Sequence, residues 1–281
     1  MNGVISPIGL NALRFIAGFT AFWLFSAFKW EKVATKDLLI LLAGSVFGLL
    51  ANQVFFIQGL SRTSTFDASV IATTVPLLTM VLSALILKEP ISWLKAIGVL
   101  VGASGAVFLV YSSQQGIIKS GDLLGDLLCF GSALSYSLFL VITKPVMQRY
   151  SSITVMKWMF LIATVVMVPF SFKEISAVNF SDLETKNILS FGFVLILATV
   201  LPYLLIPFGQ KTLRPTTQAM YFYVQPIVIV AIAIIVGTNT FTVPKTIAAL
   251  LVFLGVYIVT RSKSRADVEA EKSRKYAETS V

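Results

Sequence analysis

The sequence predicts an all-α, polytopic membrane protein, and three observations carry that prediction. Of 281 residues, 57% are hydrophobic and 12% charged, against roughly 45–50% and 25% in soluble domains. The mean hydropathy is +0.87. The charges are also clustered between apolar runs near the roughly 20 residues that a helix needs to cross a bilayer, as expected when a charge at the bilayer centre costs a few kcal/mol.

The runs lie at 8–28, 38–60, 68–87, 93–111, 123–143, 153–172, 188–208, 216–237 and 243–260, and are numbered here as spans one to nine. Short loops join them. The nine spans are read as helices because only helices and closed barrels satisfy their own backbone in lipid, and runs this long exceed a barrel strand. Residues 261–281 are polar and of mixed charge, too poor in apolar side chains to bury a face, so they are read as a solvated tail.

Basic residues orient the chain. Loops assigned alternately to two faces place Lys29, Lys32, Lys36, Lys88, Lys144, Arg149, Lys211, Arg214 and the basic tail on one side. Arg62, Lys119, Lys173 and Lys186 fall on the other. The richer side is cytoplasmic by the positive-inside rule, which puts the C-terminus inside a bacterial-type inner membrane. The net charge of +9 is therefore read as orientation and contact with anionic lipid rather than nucleic-acid binding.

A shift of 150 residues overlays the segment from Lys95 on that from Lys245, Gly105 on Gly255 and Pro76 on Pro226. At a shift of 152, Gln58 to Arg62 matches Gln210 to Arg214. Spans one to four thus read as a copy of spans six to nine. The repeat unit would have five spans, with the first helix of repeat one missing. An odd-span unit enters the membrane from opposite sides in successive copies, so the repeats are expected to be inverted, a frequent transporter architecture. The expected domains are 1–112 (first repeat, four spans), 113–260 (second repeat, five spans) and the tail. On this reading another apolar helix is expected before Met1.

With the repeat in place, the chain resembles the EamA-type permeases of the drug/metabolite transporter superfamily from residue 5 to about 261. The resemblance is carried by Ser6-Pro7 and Asn11 to Phe15 opening span one, Gln58 to Ser64, Thr74 to Pro76, and Lys88 to Pro90 followed by Gly98, Gly102 and Gly105. In the second half it rests on Gly125-Asp126, Gln225-Pro226 and Gly255 to Tyr257. It implies a helical carrier of ten spans with cytoplasmic termini. Asn239 stands where the first repeat has Glu89, a departure from the scheme.

Candidate site residues follow from chemistry inside an apolar phase. A mid-span proline removes one amide donor and frees the carbonyl a turn earlier, so Pro76 and Pro226 expose oxygens at Ala72 and Phe222. A structural kink is the competing reading. Thr73 and Thr74 lie beside Pro76. Gln218, Tyr221, Phe222 and Gln225 recur at helical spacing on one face of span eight, and the Gln225 amide is expected to face the bundle interior. Asn52, Gln53, Ser132, Ser135 and Tyr136 can line the same site, although interhelical hydrogen bonds and close packing would also use such residues. Arg14, two turns into span one, lies within reach of the outer interface, so it is read as structural, with substrate binding the competing reading, and Lys157 is its counterpart near the inner face. Cys129 is read as core filler. No carboxylate lies plainly at mid-membrane.

With no histidine and one cysteine, no metal site, cofactor or His-dependent catalysis is expected. The expected function is secondary transport of a small metabolite, an amino acid or related compound, by alternating access and in the export direction. The alternatives are a flippase-type or non-transporting membrane partner and, behind these, an integral-membrane enzyme. The expected partners are the solute and the lipid bilayer; the sequence does not fix an oligomeric state.

Overall fold

A computed structural model describes residues 5–27, 31–113, 122–176, 185–236 and 243–262. The tail from Lys263 onward, Asn239 and Lys119 lie outside the described residues. The described residues are helical, joined by turns and short loops. Among the described residues, eight helices are long and apolar enough to cross a membrane: Pro7–Ser26, Thr35–Leu60, Asp67–Ile86, Trp93–Ser112, Leu123–Ile142, Ser152–Phe170, Ile188–Thr212 and Val243–Thr260. They correspond to spans one to seven and span nine.

Span eight is the exception. It is built as Pro215–Met220, a tight turn at Tyr221–Tyr223 and Val224–Ile235, so no single helix reaches the length of the others. The sequence reading of 216–237 as one continuous helix is corrected to a broken one. The physical reason is Pro226, whose missing amide and ring exclude a regular bond one turn back; the chain instead tightens, with Val224 N–H donating to Tyr221 O.

Spans one and six begin alike. Ser6 caps Pro7–Ser26 by accepting from Gly9 N–H at 3.1 Å, and Ser151 caps Ser152–Phe170 by accepting from Thr154 N–H at 3.2 Å. Each serine satisfies an amide that the first helical turn leaves without an intrahelical partner.

The helices divide into two compact units. The first comprises residues 1–58 and 138–213 and contains spans one, two, six and seven. The second comprises 59–137 and 214–281 and contains spans three, four, five, eight and nine. Every pair of spans matched by the 150-residue shift therefore lies within one unit, and each unit draws on both halves of the chain.

In the first unit, span one packs along span six. Phe15 meets Phe160 edge-on at 6.2 Å, Phe22 stacks on Phe160 at 5.4 Å, and Trp23 meets Trp158 at 6.2 Å. A Cβ on Gly9 would lie 3.3 Å from Glu174 Cβ. Partner numbers fall from 174 to 158 as span one runs from 9 to 23, so the two helices are antiparallel.

The second unit repeats that geometry with closer contact. A Cβ on Gly98 would lie 2.8 Å from Val259 Cγ2 and 3.0 Å from Gly255 O; one on Gly105 would lie 2.9 Å from Ala248 O and Val252 N. A Cβ on Gly255 would in turn lie 2.5 Å from Gly102 N and 2.6 Å from Gly98 O. Gly105 and Gly255 are equivalent under the shift, and so are Gly98 with Ala248 and Gly102 with Val252. Each member thus touches the image of what touches its partner, the reciprocity a two-fold relation requires. Spans four and nine are antiparallel, and small residues let their backbones touch, as membrane interfaces require when burial of apolar surface gives no driving force. Met80, Val99, Ala106, Met220, Tyr223, Val252 and Val259 complete this core.

Candidate functional site

Eleven of the thirteen candidate residues fall in the second unit, where spans three, five and eight present them. Span three is interrupted at Thr73 and Thr74, between the helices Thr65–Ala72 and Val75–Ile86. Thr73 N–H donates to Val70 O and Thr74 N–H to Ile71 O, three residues back rather than four. The two hydroxyls return to the same carbonyls, Thr73 Oγ1 to Val70 O at 2.6 Å and Thr74 Oγ1 to Ile71 O at 2.7 Å. Pro76 follows in the first turn of the resumed helix. The tight turn at 221–223 before Pro226 occupies the equivalent place, so both repeats break one turn ahead of their proline.

Span five closes against this break. Ser137 Oγ lies 3.2 Å from Val75 O and 2.8 Å from Ala133 O, and Val75 O also accepts from Thr79 Oγ1 at 2.8 Å. Ser132 and Ser135 are buried. Tyr136 meets the Phe222 ring at 4.9 Å, tilted by 58°, which brings candidate rings from spans five and eight together.

Span eight has two faces. Ala219, Met220 and Tyr223 are fully buried, the last two in the core with spans four and nine. Gln218 and Phe222 are half-buried, while Tyr221 and Gln225 are exposed. The Gln225 amide is thus not buried among the helices of its own unit. The face carrying Gln218, Tyr221, Phe222 and Gln225 is the one the core leaves accessible.

Asn52 and Gln53, the remaining two candidates, lie in the first unit, directly after a π-helical stretch at Val46–Ala51 within span two. Span seven carries a second such stretch at Phe193–Val200. These wider turns fall at matching places in the two repeats and leave backbone groups off the regular ladder, a geometry frequent at functional sites. Gln53 hydrogen-bonds the side chain of Tyr203, its equivalent under the 150-residue shift.

The same unit shows what holds Arg14. Its Nε donates to Thr199 Oγ1 at 2.8 Å and its Nη1 to Asn11 Oδ1 at 3.2 Å. Asn11 and Thr199 are buried at 4% and 1% exposure, so the guanidinium is held against buried partners of its own unit. Thr199 in turn donates to Val194 O at 2.8 Å, five residues back, a carbonyl that the π-helical turn makes available. Thr199 and Tyr203 were missed from sequence. The signal that identifies Tyr203 is its position 150 residues after Gln53; a buried threonine in an apolar run carries no such signal.

Lys157 is fully buried, with Nζ 5.1 Å from the Trp23 ring centre and 5.8 Å from that of Trp158. The aromatic faces stabilise its charge by cation–π attraction. Cys129 is buried against Gly59, as expected of core filler. Among the described residues no cluster of three or more His, Cys, Asp or Glu could hold a metal ion.

Long apolar helices, two of the spans broken ahead of a proline and two packed through glycine contacts, define a polytopic helical membrane protein. The sequence model of the EamA-like transporter family matches residues 1–111 and 123–261, and the chain belongs to that family of membrane transporters. It is 25% identical over 259 residues to an uncharacterized transporter of Archaeoglobus fulgidus, covering 92% of this chain and 90% of that one. It is 23% identical to a WAT1-related protein of Arabidopsis thaliana over 77% of this chain and 66% of the relative. A solved crystal structure at 18% identity superposes with a TM-score of 0.75 over 92% of this chain and 88% of that chain, a likeness of fold.

Proposed function

We propose that the protein is a secondary transporter that exports a small polar metabolite, of the size and chemistry of an amino acid, from the cytoplasm by alternating access. The observation supporting this reading is the duplicated break. Spans three and eight each pause one turn before a proline, and half-helices with unpaired backbone groups are the usual sites for solute and for movement in carriers built from inverted repeats. Thr73, Thr74, Pro76, Ser132, Ser135, Tyr136, Gln218, Tyr221, Phe222, Gln225 and Pro226 supply hydroxyl, amide and aromatic groups around the two breaks in the second unit, and Asn52 and Gln53 supply amides in the first. The repeats are assigned to 1–112 and 113–260, the membrane is a bacterial-type inner membrane, and the C-terminal side of span nine faces the cytoplasm.

The test is an untargeted comparison of solutes outside cells with and without the protein, followed by reconstitution in liposomes with the solute that differs. Accumulation outside producing cells, reproduced as efflux from loaded liposomes, is the expected result. No solute difference, or accumulation unaffected by disrupting the Pro226 break, would sink the reading.

A further inference from the structure

We propose that Arg14 is an anion-binding residue, and that with Tyr203 it forms a subsite for the carboxylate of the transported solute. The inference deepens the transporter reading and rests on it for the word transported. Its physical basis is charge. Arg14 sits within a membrane span, where an ionised side chain is costly unless it pairs or serves a function, and its hydrogen-bond partners among the described residues are neutral, Asn11 and Thr199. It makes no ion pair among the described residues. Guanidinium remains charged in proteins, so proton loss does not relieve the cost. An anionic guest would.

The geometry fits a carboxylate. A guanidinium carries five N–H donors. Thr199 takes the one on Nε and Asn11 takes one on Nη1, which fixes the plane of the group and leaves three, including both on Nη2. The unused donors on Nη2 and Nη1 can bond the oxygens of a carboxylate. Tyr203, nearly buried and near Arg14, adds a neutral hydroxyl held by Gln53. Both supports come from span seven: Thr199 lies in its π-helical stretch and Tyr203 in the turn after it. Lipid phosphate is a second oxyanion source, disfavoured because the contacts that hold Arg14 are buried in the unit.

The test uses the full chain in a maltoside detergent, which carries no phosphate, and reads thermal midpoints. Acetate, benzoate and succinate are each compared with the corresponding amide. At least one acid should raise the midpoint where its amide does not. Arg14→Gln should weaken that acid's apparent affinity roughly 10- to 100-fold, and Arg14→Lys, which keeps the charge but not the fork, should fall between. Equal shifts for acid and amide, a shift that survives Arg14→Gln, or no shift with any acid overturns the proposal. So does a shift produced by phosphatidylglycerol alone. If Arg14→Gln unfolds the protein but Arg14→Gln/Glu174→Gln restores its stability, Arg14 serves an internal ion pair and the proposal falls. Arg14-dependent binding without movement across liposomes would retain the subsite and refute transport.

Discussion

A methyl group on Gly255 tests whether the contact between spans four and nine holds the second unit together. Its Cβ would stand 2.5 Å from Gly102 N and 2.6 Å from Gly102 Cα and Gly98 O, roughly 0.8 Å short of ordinary van der Waals contact. All three are backbone atoms, so no rotamer change relieves the clash and the helices must separate along several turns. A gap of about 0.5–1 Å forfeits a quarter to a half of each dispersion contact, and overpacking of this kind costs about 1–3 kcal/mol. Gly255→Ala should fall at the upper end, about 2–3 kcal/mol, measured as the midpoint shift of reversible SDS unfolding in mixed micelles. Gly192→Ala is the control: nothing lies within 4 Å of its added Cβ, and replacing a helical glycine should stabilise by about 0.5–1 kcal/mol. Gly105→Ala should resemble Gly255→Ala. The double variant should cost less than the two together, because one separation admits both methyl groups. If Gly255→Ala is as stable as Gly192→Ala, the close approach is not what holds this pair, and the reasoning fails.

Three further perturbations reach other parts of the molecule. Gln225→Ala and Tyr221→Phe, on the accessible face of span eight, should each lower transport with unchanged membrane abundance; parallel loss of protein and transport would assign them to packing. Burial alone would raise the Glu31 carboxyl, but the Ser151 amide donating at 2.9 Å, the Thr154 and Ser151 hydroxyls and the positive charge of Lys211 outweigh it and hold the group below its ordinary value of 4.5. A lowered folded-state value stabilises above the ordinary carboxylate range and is lost as pH falls through the folded value, so the stability difference between wild type and Glu31→Gln should shrink below about pH 4; a difference that grows on acidification would reverse the assignment. Lys88 has a φ of 55° just after the helix Val75–Ile86, where Leu87 and Glu89 N–H both donate to Ser83 O, so Lys88→Gly should stabilise by about 1 kcal/mol, read on the same unfolding assay.

Much of this architecture was legible because its physics is local. Spans one to seven and span nine follow from run length and charge avoidance, and the breaks at Pro76 and Pro226 follow from a missing amide. The 150-residue match paired Gly105 with Gly255, but that their helices meet was seen only in the structure. The π-helical stretches were not legible: Val46–Ala51 and Phe193–Val200 are apolar throughout, so a change of helical phase leaves no stripe to shift. What holds Arg14 was not legible for another reason. Its partner Thr199 is 185 residues away, and a basic residue near a helix end has a local explanation that hides the distant one. Nor did the repeat boundaries reveal that each compact unit takes helices from both copies.

That interleaving has a consequence for biosynthesis. Span four leaves the ribosome long before span nine, whose Gly255 and Ala248 fill its glycine contacts, and span one precedes the Phe160 that stacks on Phe22. Helices inserted early must therefore remain in lipid with their packing faces uncovered until the second half arrives. The cell assembles both units late, and an interruption of synthesis between the repeats would leave a product with neither one closed.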